Sequence, residues 1–278
     1  MTLVPPDGSR DPRVDDLTNV WLVHPAGRLM LPLALRWRVS ANAVSITGLL
    51  LGIGAAIAYA GWQDWRRATL GLALCVAWLI ADGLDGMIAR ATNTAGALGR
   101  FLDGVCDHSV FVLIYLVLAY SIGTADAWLL AVLAGAAHAT QSAIYESERI
   151  RFHRRIKGEP GELRPALPRN VVARGYEAIA GSLDRLAEPF DHVLRETADP
   201  QRLGENYGRH AAPPLKLLAL LSNNLRVIAI YLACLWGNPR LFWWFELVPL
   251  SLILAGGAYW HRRVERQLVR EQNARKPR

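Results

Sequence analysis

The sequence predicts an all-α integral membrane protein: a bundle of six transmembrane helices, with N-terminal interfacial helices and a long cytoplasmic loop between helices 4 and 5. Three observations predict it. Apolar residues make up 52% of the 278-residue chain, and they fall in blocks of about 18 to 25, the length a helix needs to cross roughly 30 Å of hydrocarbon. Backbone groups in lipid must find partners within their own segment, so such blocks are helices. Basic residues, finally, gather on one side of the connections between blocks, as the positive-inside rule requires.

Residues 1–42 form a cytoplasmic N-terminal segment. The stretch 1–17 is polar, carries Pro5, Pro6 and Pro12, and is expected to be poorly ordered. Residues 18–38 mix Trp21, Leu22, Leu29, Leu31 and Leu35 with Arg28, Arg36 and Arg38, and Pro25 and Pro32 argue against one continuous helix. Short interfacial helices on the cytoplasmic surface are expected there. No basic start followed by an apolar run marks a signal peptide, so the first span is read as an uncleaved anchor. Ser40 offers a helix N-cap ahead of it.

The catalytic membrane domain is read over 43–260, with spans at about 43–61, 68–91, 99–123, 126–146, 215–236 and 241–260. Cys75, Cys106 and Cys234 lie inside spans without a CxxC pair and read as packing residues. Tryptophans such as Trp62, Trp65, Trp243, Trp244 and Trp260 sit near span ends, as interfacial anchors do. The cytoplasmic loop 147–214 contains an amphipathic helix at about 171–194, marked by Val172, Tyr176, Ile179, Leu183, Leu186, Phe190 and Val193 at spacings of four and three. His210 reads as a loop residue, and Glu146 and Glu148 as solvated charges at the end of the fourth span. A basic tail, 261–278, closes the chain.

The formal net charge is +7. With both termini cytoplasmic, 14 Lys/Arg lie on that side against Arg66, Arg67 and Arg240 on the other, leaving the long loop aside. The excess is therefore a topology signal reinforced by anionic lipid headgroups, and no nucleic-acid partner is implied.

The informative stretch runs from Asp82 to Asp107. On a helix Asp82, Asp85, Gly86 and Ala89 stand at i, i+3, i+4 and i+7 and share a face. Asp103 and Asp107 are one turn apart on the next helix, with Gly99 a turn earlier. A short connection makes the helices antiparallel neighbours, so four carboxylates are expected to converge near their cytoplasmic ends. Even one charge placed well inside a bilayer costs about 2.5 kcal/mol or more. Protonation or divalent cations would compensate; all-oxygen ligands suit Mg²⁺ or Mn²⁺, and two such ions suit in-line phosphoryl chemistry. Gly86, Ala89 and Gly99 leave room for a flat group such as a nucleotide base. Cys106 and His108 flank Asp107 but point about 100° away from it, and read as packing residues.

The run Asp-x₂-Asp-Gly-x₂-Ala-Arg-x₈-Gly-x₃-Asp-x₃-Asp over residues 82–107 resembles the signature of the CDP-alcohol phosphotransferase family, with every fixed position present. Asn42-x-x-Ser45 is similar to the Asn-x-x-Thr common at the start of the family's first span, with serine in place of threonine. The resemblance implies metal-dependent transfer of a substituted phosphate from a CDP-linked donor to an alcohol, with release of CMP, in phospholipid synthesis. It implies that Asp82, Asp85, Asp103 and Asp107 hold two divalent ions, that Asp107 is also the general base, and that Asp82, Gly86, Ala89, Arg90 and Gly99 bind the nucleotide. A homodimer, in contact with membrane lipids and with its active site facing the cytoplasm, is implied as well.

Two substrate pairings fit the family: a phosphatidyl group passing from CDP-diacylglycerol to an alcohol, or a phospho-aminoalcohol passing from CDP-choline or CDP-ethanolamine to a lipid alcohol. Arg151 and Arg154 just beyond the fourth span, and Arg226 about eleven residues into the fifth, suggest a pocket for an acceptor phosphate. A salt bridge to one of the four aspartates or to Glu146 is the competing reading of Arg226. The pocket favours a phosphatidyltransferase with a phosphorylated polyol acceptor. A transporter would also bury acids but would not need the Gly-x₂-Ala and Gly-x₃-Asp spacing. Intramembrane prenyltransferases carry two separate aspartate-rich motifs, and this chain has one. A structural membrane protein would leave four buried carboxylates unexplained.

Overall fold

A computed structural model of the chain describes residues 11–161 and 188–275, with the side chains of 97–105 and 275 excepted. It is helical, with no strand among the described residues. The helices are α1 (His24–Arg36), α2 (Ala41–Tyr59), α3 (Trp65–Ala91), α4 (Ala97–Ile122), α5 (Ala125–Arg155), α6 (188–196), α7 (Pro200–Leu218), α8 (Asn223–Leu235), α9 (Arg240–Phe245) and α10 (Ser251–Arg275). Four helical stretches are long and apolar enough to cross a membrane: α2, α3, α5, and α9 with α10. Pro200–Leu221 with Asn223–Leu235 makes a fifth if it is one broken span. By its helices this is an integral membrane protein; helical segments fall in each of the six predicted ranges, but the one at 215–236 is broken between Leu218 and Asn223.

The chain folds as two compact units. The first comprises Asp15–Thr140 and Ser222–Ser251, the second the described residues of Arg10–Val14, Gln141–Leu221 and Leu252–Arg278. The core of the first unit is built on small-residue packing. Along α2, Ser45, Gly48, Gly52, Ala55, Ala56 and Tyr59 are buried, a stripe of the kind that lets membrane helices approach closely. A Cβ at Gly52 would overlap the Val110 side chain of α4. On the same side of the unit Trp78 of α3 meets Phe111 of α4 edge to face, with ring centroids 5.6 Å apart. Ser40 caps α2 as expected, its hydroxyl accepting from the Ala43 N–H at 3.2 Å.

The N-terminal region departs from expectation. His24–Arg36 is one helix, continued from a π-helical turn at Asn19–Val23. Pro25 falls in its first turn, where no N–H is needed, and Pro32 is accommodated inside it. Its buried residues Leu31 and Ala34 pack with Val44, Ala81, Leu84 and Ile88. Nor are the described residues before it loose: Asp15 and Asp16 are buried. Asp16 accepts from the Ser222 hydroxyl at 2.9 Å and the Asn224 amide at 3.0 Å. Burial alone would push the Asp16 carboxyl up, but hydrogen bonds from Asn224, Thr18 and Ser222 outweigh it and hold it below the usual range.

The second unit replaces much of the expected loop with helix. α5 runs on to Arg155, and α7 covers Pro200–Leu218. His210 is therefore helical, its Nδ1 2.9 Å from the Asn206 carbonyl oxygen. Of the predicted amphipathic helix, residues 171–187 lie outside the described residues; in the remainder Phe190 and Val193 are buried, as the stripe required. Glu148 is fully buried rather than solvated. Its carboxylate meets His261 Nδ1 at 2.8 Å, the Arg262 guanidinium, and Arg151 Nη1 at 3.4 Å. Trp243 of the first unit is likewise fully buried, a core residue and not an interfacial anchor, whereas Trp65, Trp244 and Trp260 are exposed. The three cysteines are buried, consistent with packing roles.

Candidate active site

α3 and α4 are joined by the short turn 92–96. The rings that touch across them, Trp78 and Phe111, stand at matched distances from that turn, 13 residues before Ala91 and 14 after Ala97. The pair is thus an antiparallel hairpin in register. Asp82 lies one helical turn beyond Trp78 toward the connection, and Asp107 one turn from Phe111 in the same direction. The two acids therefore lie at one level, with Asp85 a further turn along α3.

Asp82 and Asp107 are half-buried, and Asp85 is 5% exposed. The Asp85 carboxylate accepts a hydrogen bond from the Ser45 hydroxyl of α2, Oγ to Oδ2, at 2.5 Å. Gly86 and Ala89 are half-buried and Arg90 is exposed at the end of α3. A Cβ at Gly86 would stand 3.2 Å from Arg90 Nη1, so the guanidinium reaches back over the glycine face. Gly99 and Asp103 lie on the first two turns of α4, and their side chains are outside the described residues. Among the described residues no three acidic, histidine or cysteine side chains form a metal-holding group. The donor chemistry nevertheless suits hard divalent cations, because the described acids of the motif are carboxylates carried on two adjoining helices.

Residues 38–154 match the CDP-alcohol phosphatidyltransferase family. The match takes in α2 to α5, hence the whole aspartate motif together with Ser45, Arg151 and Arg154, and leaves Arg226 outside. No match was found among curated proteins. The family's reaction is transfer of a phosphatidyl group from a CDP-linked donor to an alcohol in phospholipid synthesis. Over residues 38–154 the chain is thus similar to a CDP-alcohol phosphatidyltransferase domain, and its helices are those of an integral membrane protein.

The three arginines differ in their surroundings. Arg226 is fully buried, its Nε donating to both Glu246 oxygens at 2.9 and 3.2 Å. This ion pair joins α8 to the π-helical turn Glu246–Leu250. Glu246 also accepts from the Tyr115 hydroxyl at 3.4 Å, and Tyr115 lies 3.0 Å from His138 Nδ1. A salt bridge for Arg226 was one expected reading, but its described partner is Glu246, which sequence reasoning did not single out. Arg151 is 5% exposed and faces Glu148. The Arg154 side chain keeps 30% of its surface exposed, lies 3.8 Å from Asp191, and has an Nε with no hydrogen-bond partner among the described residues.

Proposed function

We propose that this protein is a divalent-metal-dependent phosphatidyltransferase that moves a phosphatidyl group from CDP-diacylglycerol to a phosphorylated polyol and releases CMP. The observation that carries the reading is the complete aspartate motif, inside the matched residues, on the in-register α3–α4 hairpin. Asp82, Asp85, Asp103 and Asp107 would hold two Mg²⁺ or Mn²⁺ ions, which when bound neutralise the phosphate oxygens and stabilise charge in the transition state. Gly86, Ala89 and Gly99 would accommodate cytidine, with Asp82 and Arg90 orienting the nucleotide. Asp107 would take the proton as the acceptor hydroxyl attacks the phosphorus distal to cytidine. The bond from that phosphorus to the bridging oxygen breaks, and CMP leaves with the electron pair.

The acceptor assignment draws on the arginines. Arg226 and Arg151 have carboxylate partners within the fold, which supports framework roles for both. Arg154 is the one with exposed surface to meet a bound anion. Six spans, cytoplasmic termini, an active site facing the cytoplasm and a homodimer complete the proposal.

The test is turnover by purified protein in nanodiscs, with CMP release measured and lipid products identified by mass. CDP-diacylglycerol with glycerol 3-phosphate or inositol phosphate should react, chelator should abolish the reaction, and Mg²⁺ or Mn²⁺ should restore it. Turnover only with CDP-choline or CDP-ethanolamine and a lipid alcohol would overturn the substrate assignment. Full activity in excess chelator would overturn the metal assignment.

A further inference from the structure

Serine and threonine inside helices ordinarily return their hydroxyl proton to the carbonyl four residues earlier. This chain does so repeatedly. Thr47, Thr69, Thr92 and Thr140 donate to the carbonyls of Ala43, Trp65, Ile88 and Ala136 at 2.8, 2.8, 2.8 and 2.9 Å. Ser45 is different: its Oγ stands 3.2 Å from the Ala41 carbonyl oxygen and 2.5 Å from Asp85 Oδ2. A hydroxyl has one proton to give, and the shorter, charge-assisted bond to a carboxylate is about twice as strong as a neutral one. The proton therefore goes to Asp85.

The reach across helices depends on what surrounds Ser45. It lies on the small-residue stripe of α2, three residues before Gly48 and seven before Gly52. A Cβ at Gly48 would already stand 3.3 Å from Trp78 Cδ1 and 3.5 Å from Ala81 Cβ. The α2 and α3 backbones are thus close enough for the shortest hydroxyl side chain to span the gap. Both Ser45 and Asp85 are buried, at 9% and 5% exposure, so the bond is shielded from competing solvent.

We infer that Ser45 is a positioning residue for the proposed metal site, its hydroxyl fixing the orientation of the Asp85 carboxylate across the α2–α3 contact. The inference rests on the reading of Asp85 as a metal ligand. Hydrogen bonds from outside the ligand shell orient ligating carboxylates, and their loss typically weakens metal affinity about 10- to 100-fold.

Direct Mn²⁺ binding to the purified protein in detergent, read from the free-ion signal in electron paramagnetic resonance, tests it without turnover. Ser45→Ala should raise the Mn²⁺ Kd about tenfold or more with little change in melting temperature. Ser45→Thr, which keeps the hydroxyl, should bind as the parent does. Asp85→Asn should weaken binding at least as much, and adding Ser45→Ala to it should do nothing further. Parent-like binding by Ser45→Ala, with Asp85→Asn impaired, would overturn the Ser45 role and leave the metal reading standing. Unchanged binding in Asp85→Asn would instead sink the ligand assignment, and the inference with it. A fall in affinity that Ser45→Thr shares with Ser45→Ala would mean the position matters through packing and not through its hydroxyl, which also overturns the role.

Discussion

Asp85 in the first unit and Glu148 in the second are both buried acids, at 5% and 0% exposure, yet their described partners are of opposite kinds. Glu148 sits among His261, Arg262 and Arg151. Beside it His261 Nε2 lies 2.8 Å from the Tyr207 hydroxyl, so the buried imidazole bridges Glu148 and Tyr207. Arg155 completes the cluster: it binds Asp191 through Nε at 2.9 Å and Nη2 at 3.0 Å, pairs with Glu265, and lies over the Phe190 and Tyr207 rings. The partner described for Asp85 is a hydroxyl, which orients a carboxylate without cancelling its charge. A carboxylate clustered with resident cations serves the fold, whereas one oriented by a hydroxyl fits the metal-ligand role proposed for Asp85. Substitutions in the second cluster should therefore register in stability, and substitutions in the α3–α4 hairpin in activity.

The largest effect should come from Arg155→Ala. It removes the fully buried cation that Asp191 and Glu265 share, and removing one member of a buried charge cluster costs about 3–5 kcal/mol. Thermal or chemical unfolding in detergent should show the loss. A melting temperature within a degree or two of the parent's would mean the cluster is not what holds α5, α6 and α10 together. Asp107→Asn should do the reverse. Turnover should fall about 10²-fold or more while unfolding stays close to the parent's, because the change preserves shape at a half-buried position. Near-normal kcat would remove Asp107 as the base.

How much of this was legible in the sequence follows the same division. The membrane helices and the aspartate motif read directly, because span length and i, i+3, i+4 spacing are local properties. The second unit did not. Its pairs join residues far apart in the chain, 36 for Arg155 with Asp191, 110 for Arg155 with Glu265 and 113 for His261 with Glu148. Nothing local distinguishes such an acid from a solvated one. α7 is a different case. Gly204, Gly208, Pro213 and Pro214 disguised it as loop, although Asp199-Pro200 is a sound helix start and Leu203, Tyr207, Ala211 and Leu215 recur at four-residue intervals. Gly204 is there for close approach, since a Cβ would collide with the Arg155 carbonyl oxygen. The Ser45 bond was half legible: the motif was visible, its partner 40 residues away was not.

A smaller effect is expected at the α2 cap. Ser40→Ala removes the acceptor for the Ala43 N–H and should cost about 1 kcal/mol, visible as a modest drop in melting temperature. Catalysis at saturating metal should be unaffected. A tenfold loss of kcat would mean that the start of α2 reports to the hairpin more directly than through helix stability.

The smallest effect is a pH dependence, and its sign follows from Asp191. Burial alone would raise its carboxyl, but hydrogen bonds from Arg155, that residue's charge and the charge of Arg154 outweigh burial and lower it below the ordinary 3.8. A carboxyl lowered on folding stabilises the native state at pH values above its unfolded pKa. That contribution is lost as pH falls through the lowered folded value, because the proton then binds the unfolded chain first. Stability of the second unit should therefore be flat in Asp191's contribution from neutral pH down to about pH 4, and should decline below it. Asp191→Asn removes the titrating group, so the variant should start less stable and lose less on acidification over that range. Melting temperatures of parent and variant between pH 7 and pH 3 measure the difference. Parallel curves would mean that Arg155 holds Asp191 no more tightly folded than unfolded, and that Glu265 is the partner that matters.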